Sequence, residues 1–367
     1  MSEYAHLLDD ETFDDFSVLY LNDQGRFVVP GGDLRELKDG KVVSTDNLPS
    51  YLKEKVVLPK GVTDVFIWVH GWRNGQPEAL SAARKIFKGI IDLHKEKKDL
   101  YPNIKDLFVP AFLVIRWPSW SKPQSTGYSK IRDRAASLTD EGEAEFFLAS
   151  LLGYLDEKRR AQVSHGRGTL RSKDGFYIHC LGHSFGGRFL TAAVRAAGSP
   201  SSPKTLSLMR RVAQPERKVL SIDDTKKGFD FTVDNLVVFQ MAAPSDSFED
   251  QLDKLTNPDL TALKGPLVVT HSMHDTANCL WHKFTQDLEA GIGCSGAKTP
   301  KKKINQIKLE DLPNQYNKAD FQTGKIINVS ADHIFKVKEF GAGAHGDFFY
   351  KESVHLILSL TTFARQY

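Results

Sequence analysis

The stretch that decides the fold is residues 173–198, KDGFYIHCLGHSFGGRFLTAAVRAAG. It predicts a short apolar strand at 176–181, a sharp turn, and a helix that opens at Ser184. The turn contains Gly182-His183-Ser184-Phe185-Gly186, a G-x-S-x-G pattern. A serine at the tip of such a turn has a strained backbone, and the residues two positions away must be small for strand and helix to pass.

The pentapeptide alone decides little, because it arises by chance in roughly one chain in ten of this length. The alternative interpretation of Ser184 is an ordinary N-cap residue in a glycine-rich turn. A nucleophilic serine needs a histidine base, a carboxylate that orients the histidine, and N–H donors for the oxyanion. The rest of the chain therefore has to supply those groups.

Composition is that of an ordinary globular protein. The chain has 367 residues, of which 41% are hydrophobic and 26% charged, with a net charge of +3. This charge is too small to indicate a nucleic-acid partner, and the basic run 298–303 is typical of a solvated loop. No apolar run approaches the ~18 residues of a membrane span, so we expect no stable membrane insertion.

The N-terminal residues and the cysteines bear on location. Residues 1–16 are acidic and lack a basic region followed by an apolar core, so we expect no secretory signal and a cytoplasmic protein, with export by another route left open. The three cysteines do not indicate a disulfide framework. Cys180 lies in the strand before the turn and is expected to be buried, while a bridge between Cys279 and Cys294 stays open.

Apolar runs of strand length alternate with amphipathic helical patterns, which predicts an α/β fold with a doubly wound, mostly parallel sheet of about eight strands. Residues 1–60 are expected to form a hairpin, at 17–29, and a polar lead-in packed on the sheet. Residues 61–367 form one catalytic domain in this interpretation. Strands are predicted at 64–70, 109–117, 176–181, 235–241, 266–270 and 325–330, helices at 77–97, 143–159, 184–198, 276–290 and 350–365, and insertions at 199–234, 245–264 and 291–324.

Three places at the carboxyl ends of predicted strands supply what Ser184 needs. The loop 70–72, His-Gly-Trp, follows an early strand, Asp275 follows strand 266–270, and His345 lies in a glycine-lined loop after the last strand. Functional groups in parallel sheets come from such loops. The order serine, aspartate, histidine is that of α/β-hydrolases and differs from that of chymotrypsin and subtilisin.

On these residues the chain resembles the α/β-hydrolase superfamily, specifically esterases and lipases with an H-G-x oxyanion loop. The resemblance covers residue 62 to the C-terminus, apart from 199–234 and 291–324. It implies that the backbone N–H groups of Trp72 and Phe185 bind the oxyanion. It also implies a small cap, for which 245–264 is the candidate.

Several assignments have competitors. Asp246, after strand 235–241, is the alternative acid, and His333 is the alternative base. Asp347 is either an orienting residue or an ordinary loop residue. His355 falls in an apolar helical pattern, which favours a structural role.

Aromatic and histidine side chains near the turn suggest a substrate pocket, although aromatic residues at a sheet edge are commonly core. These pocket candidates are His70, His183, Trp117 and Trp120. The histidines around Asp275 fit no zinc spacing together with Cys279, so we expect neither a metal nor a cofactor.

The resemblance implies a serine hydrolase that cleaves a small-molecule or lipid carboxylic ester through an acyl-enzyme. An amidase, peptidase or thioesterase would use the same triad, because specificity lies outside it. A non-catalytic binding protein on a hydrolase scaffold is the alternative from another class. The polar composition of 245–264 favours soluble or short-chain esters.

Overall fold

A computed structural model describes residues 4, 6–32, 37, 40–72, 75–120, 125–140, 144–161, 175–198, 232–250, 252–257, 261–281, 290–337 and 342–366. Within these residues the chain forms an α/β structure around one sheet. No helix in these ranges is long and apolar enough to cross a membrane.

The sheet has ten strands in the described part of the chain, where the sequence predicts about eight. Its order is β3-β2-β1-β5-β4-β6-β7-β8-β10-β9, and every neighbouring pair is parallel except β1–β2 and β2–β3. The two edge strands went unpredicted because they are short and have no buried apolar run. The strands are β1 Ser17–Leu21, β2 Phe27–Val29, β3 Lys41–Val42, β4 Asp64–Val69, β5 Pro110–Arg116, β6 Tyr177–His183, β7 Asn235–Phe239, β8 Leu267–His271, β9 Ile304–Lys308 and β10 Ile326–Ser330.

Helices cover both faces of the sheet, as the predicted doubly wound fold requires. They are α1 Leu48–Lys55, α2 Gln76–Lys97, α3 Ser125–Asp140, α4 Ala144–Ala161, α5 Ser184–Gly198, α6 Ser247–Asp250, α7 Ile292–Ser295 and α8 Lys351–Ala364.

Two separate hydrophobic cores lie on the two faces. One core packs α1, α3, α4 and α5 against the sheet and contains Phe185 and Trp117. The other packs α2 and α8 against the opposite face and contains Trp68 and Phe348. The central strand β4 is buried along its whole length, because its side chains alternate between the two cores.

The N-terminal hairpin belongs to the sheet, which corrects the prediction that it packs on the sheet. Strand β1 pairs in parallel with β5 and antiparallel with β2. The backbone of β1 thereby hydrogen-bonds to the outer edge of β5. Without β1, the N–H and C=O groups at that edge would be unpaired. The Asn22 side chain accepts hydrogen bonds from the backbone of Gln24 and Arg26, which fixes the predicted turn.

The segments predicted as cap and insertions contribute core residues and regular elements. In the described part of 245–264, Phe248, Leu252 and Leu255 are buried in the core that contains α5, and a role of this segment as a cap stays a prediction. Segment 291–324 contributes α7 and the edge strand β9.

Other differences concern the helices. Helices α1 and α3 were not predicted, since α3 has only a thin apolar stripe at Ile131, Ala135 and Leu138. After Asp275 the described residues form a single π-helical turn, Ala277–Trp281. Most of 199–234, together with 282–289, lies outside the described residues.

Asp64, the first residue of β4, anchors the end of the sheet opposite to Ser184. It is buried and accepts hydrogen bonds from His179 Nε2 at 2.9 Å and from the guanidinium of Arg365 at 2.5 and 2.6 Å. Burial raises the pKa of this carboxyl, but Arg365 and the hydrogen bonds outweigh burial and lower the pKa to about 2. The ion pair thus ties the end of α8 to the central strands.

We therefore expect Asp64→Asn to destabilise the fold by about 3 kcal/mol, because it leaves the partly buried Arg365 without its counter-charge. An unfolded aspartate titrates near pH ~3.9. Since the folded pKa is about 2, the contribution of Asp64 is complete above about pH 4 and is lost as the pH falls toward 2. Urea unfolding at several pH values measures both effects.

The matched control is Asp14→Asn, because Asp14 pairs with Arg84 at an exposed position. It should change stability by less than about 1 kcal/mol. Equal losses in the two variants would contradict the anchoring role of Asp64.

Candidate active site

Ser184 stands at the junction of β6 and α5 with a left-handed backbone, φ 56°. A side-chain-bearing residue adopts this conformation only at a cost of about 1–3 kcal/mol, which the surrounding structure must compensate. The predicted sharp turn and the helix that begins at Ser184 are both present. The turn places Ser184 at the carboxyl end of β6, where the residue is fully buried.

The glycines of the turn are required by close backbone approaches. A Cβ on Gly182 would lie 2.5 Å from Gly187 Cα, where the helix leaves the strand. A Cβ on Gly186 would lie 2.6 Å from the carbonyl oxygen of Val69 at the end of β4. These distances are far below van der Waals contact, so the pattern G-x-S-x-G here reflects packing and not chance.

The structure brings Ser184, His345 and Asp275 into one hydrogen-bonded row. Ser184 Oγ lies 2.8 Å from His345 Nε2, and His345 Nδ1 lies 2.9 Å from Asp275 Oδ2. Since the carboxylate only accepts, Nδ1 carries the proton and Nε2 is the acceptor for the serine hydroxyl. This is the geometry of a nucleophile, a base and an orienting acid.

Two backbone hydrogen bonds join the loops that carry the histidine and the aspartate. Ala344 N–H donates to His274 O at 2.8 Å, and Ala277 N–H donates to Ala342 O at 3.2 Å. Gly343 lies between them with φ 63°, and a Cβ there would lie 2.6 Å from Thr276 N. The glycine-lined loop seen in the sequence therefore allows the two loops to touch.

Asn278 and Gln240 complete the site, and sequence reasoning missed both. Asn278 donates its backbone N–H to Asp275 Oδ1 at 3.0 Å and its Nδ2–H to Asp275 Oδ2 at 2.7 Å. Gln240 Nε2 donates to Ala344 O, next to His345, at 2.7 Å. Neither amide belongs to a recognisable motif, so no pattern in the sequence signals its role.

The predicted oxyanion loop lies against the serine. A Cβ on Gly71 would lie 2.9 Å from Ser184 Cβ, so the loop that carries Trp72 approaches the turn as closely as a glycine permits. Phe185 follows Ser184 in the first turn of α5, where the helix dipole favours negative charge. Phe185 is thus the chain neighbour of Ser184, and Gly71, which precedes Trp72, lies against it.

The four pocket candidates occupy different environments. Trp117 is fully buried and donates Nε1–H to His70 O at 2.7 Å, while His70 Nε2 accepts from Trp117 N–H at 3.3 Å. These contacts favour the core interpretation of both residues. Trp120 is partly exposed at the surface. His183 Nε2 donates to the carbonyl oxygen of His345 at 2.8 Å and so supports the loop of the base.

Burial keeps the two supporting histidines neutral. It lowers the pKa of His70 well below its ordinary value, and the Arg116 charge adds to this shift. Burial likewise lowers the pKa of His183, with the His345 ring contributing. A neutral His183 does not oppose a positive charge on the neighbouring His345 during a proton transfer.

The alternative acid and base lie elsewhere. Asp246 is exposed, and its backbone carbonyl accepts from Thr299. His333 is partly exposed, and its Nε2 lies 3.4 Å from Asp311 Oδ1. Asp347 accepts from the backbone N–H groups of Lys336 and Val337 and from Tyr350 Oη, so it fixes the loop after His345.

A disulfide joins Cys279 to Cys294, which resolves the pairing that the sequence left open. It links the turn that contains Asn278 to helix α7. Cys180 is a buried free thiol, as predicted. Among the described residues, no group of three or more histidine, cysteine or acidic side chains is placed to hold a metal ion.

Comparisons with models of protein families, with curated proteins and with solved structures found no match to this chain. The function of this chain is therefore inferred from the geometry of the site itself.

We expect Gly186→Ala to disrupt the turn, since its Cβ would press on the carbonyl groups at the end of β4. The substitution should cost about 1–3 kcal/mol in free energy of unfolding. Thermal unfolding of the variant measures this loss. Gly32→Ala is the control, because a Cβ on Gly32 would meet only open space; an equal loss there would show that the clash at the end of β4 is not responsible.

Replacing both cysteines of the disulfide by serine should lower stability by ~3 kcal/mol, because the bridge closes a loop with a sequence separation of 15. Chemical unfolding with and without a reducing dithiol is the measurement. The dithiol should destabilise the natural chain and leave the double variant unaffected. Unchanged stability of the double variant would contradict a structural role for the bridge.

Proposed function

We propose that this protein is a serine hydrolase that cleaves carboxylic esters through an acyl-enzyme. The observation that carries the proposal is the row from Ser184 Oγ through His345 to Asp275, with distances of 2.8 and 2.9 Å. It stands at a strand-to-helix turn in which Ser184 has a positive φ. A serine that merely capped a helix would not require this conformation or these partners.

In the first half of the reaction Ser184 Oγ attacks the carbonyl carbon of the ester. His345 Nε2 takes the hydroxyl proton as the O–C bond forms, and Asp275 stabilises the resulting imidazolium through Nδ1–H. The N–H groups of Trp72 and Phe185 bind the negative charge that develops on the carbonyl oxygen. His345 then gives the proton to the departing alcohol, which leaves an acyl group on Ser184.

In the second half water repeats these steps. His345 Nε2 removes a proton from the water as its oxygen attacks the acyl carbon, and then returns that proton to Ser184 Oγ. The carboxylic acid leaves and the serine is restored. All proton transfers in this scheme pass through His345 Nε2, while Nδ1 keeps its proton toward Asp275.

The strand order supports an α/β-hydrolase fold for this chain. The serine follows β6, the aspartate follows β8 and the histidine follows β10, all at the carboxyl edge of the parallel sheet. The glycine loop after β4 lies against the serine. These placements match the order that the motif predicts for that fold.

The disulfide bears on the cytoplasmic location, which stays a prediction. Disulfides persist in oxidising compartments and are rare in the cytosol. The Cys279–Cys294 bridge therefore favours an oxidising compartment over the cytoplasm.

Ser184→Ala should lower kcat/KM for a p-nitrophenyl ester at least about 1,000-fold, because no other hydroxyl is placed beside His345 Nε2 in the described residues. The measurement is initial rates of natural and variant protein. Ser150→Ala is the matched control, since Ser150 is also buried but donates within α4. Activity of Ser184→Ala within tenfold of the natural protein would refute the mechanism.

A fluorophosphonate probe separates the enzyme from a binding protein on the same scaffold. We expect covalent labelling of Ser184 in the folded natural protein and none in Ser184→Ala, because the probe reports an activated serine. In a separate measurement, the rates on matched ester, thioester and amide substrates of increasing acyl length show which bond is cleaved fastest. Folded natural protein that resists labelling would favour the binding protein.

A further inference from the structure

We propose that Asn278 is a positioning residue for the acid of the triad, and that Gln240 holds it in a fixed relation to the base. The inference rests on the proposed function, because it assigns a role within that site. It begins from two buried amides that the mechanism above does not use.

Asn278 holds both oxygens of the Asp275 carboxylate. Its backbone N–H donates to Asp275 Oδ1 at 3.0 Å, and its side-chain Nδ2–H donates to Asp275 Oδ2 at 2.7 Å. The same oxygens lie 3.0 and 2.9 Å from His345 Nδ1. The Asp275 carboxylate is thus held between Asn278 and the His345 imidazole. These contacts fix the plane of the carboxylate as well as its position.

The orientation of the Asn278 amide is set by its surroundings. Nδ2 also donates to Gln240 O at 3.2 Å, so both of its hydrogens face acceptors, and it lies 3.1 Å from His345 Nδ1, whose own hydrogen points to Asp275. The reverse orientation would place Oδ1 against a carboxylate and a carbonyl, which accept only.

Both amides leave an oxygen without a hydrogen-bond partner. Asn278 Oδ1 and Gln240 Oε1 are buried and have none in the described part of the structure. The side-chain hydrogen bonds of these two amides are therefore made through their N–H groups, which donate to Asp275, Gln240 O and Ala344 O.

Gln240 connects the two loops that must stay in register. Its side chain donates to Ala344 O at 2.7 Å, beside the base, while its main-chain oxygen accepts from Asn278, beside the acid. It has a left-handed backbone, φ 47°, immediately after β7. That strained conformation lets one residue reach both loops.

The disulfide and Gly293 also restrain Asn278. Cys279 and Cys294 are the neighbours of Asn278 and Gly293. A Cβ on Gly293 would lie 2.7 Å from the carbonyl carbon of Gln240 and would also overlap the Asn278 amide. Asn278 is therefore held against the backbone of Gln240 and has no room to turn away from Asp275.

The test is the kinetics of Asn278→Ala. We expect kcat to fall roughly 10- to 100-fold, because the carboxylate loses one donor and its fixed plane, while KM stays within about threefold. Asn278→Asp preserves the size of the side chain but places an oxygen against the carboxylate, so kcat should fall at least as far. Asn328→Ala is the matched control, since Asn328 is equally buried and makes two hydrogen bonds to Ala297.

A double-variant cycle distinguishes positioning from general loss of structure. In an Asp275→Ala background, the further change Asn278→Ala should alter kcat less than about threefold, because its effect passes through Asp275. A full additional loss in that background would overturn the proposal. So would an unchanged kcat in Asn278→Ala alone, or an equal loss of kcat in Asn328→Ala.

Fluorophosphonate labelling separates this inference from the proposed function. Labelling of natural Ser184 that slows in Asn278→Ala supports both. Labelling at the same rate in the two proteins refutes the positioning role and leaves the hydrolase intact. A natural protein that resists labelling refutes the hydrolase, and the positioning role with it.

Discussion

The constraint on which the structure depends is the left-handed backbone of Ser184. That conformation is maintained only if β4, β6 and α5 approach one another at backbone distance, and the glycines at 182 and 186 are what permit the approach. The approach in turn requires parallel strands whose carboxyl ends lie side by side, as β4 and β6 do. The direction of α5 and the position of the loop after β4 are thus matched to this one residue.

The sequence predicted the elements whose signals lie within a few neighbouring residues. The buried strand before Ser184, the helix that begins there, and the loops of Asp275 and His345 all carry patterns that span a few residues. The hairpin's place inside the sheet was not predictable in this way, since it depends on which edge of β5 lies open. Asn278 could not be found either, because its local contact with Asp275 resembles ordinary helix capping, and the carbonyl of Gln240 reaches it only in the folded chain.

The proposed site depends on polar side chains as much as on the reacting groups. Asp275 and His345 lie on separate loops, and the backbone pairing around Gly343 brings those loops together. Gln240 and His183 then fix the histidine loop through its own carbonyl groups. The orientation of the imidazole thus depends on the side chains of Gln240 and His183 as well as on Asp275.

The two hydrophobic cores have a consequence for how activity is lost. Phe185, next to the nucleophile, belongs to the core on one face, while Ala344 and Phe348, beside the base, belong to the core on the other. The row of reacting groups therefore spans the sheet's two faces and exists only while both are packed. Turnover would disappear with whichever face loosens first, so in this protein an activity assay reports the less stable half and not the average of the fold.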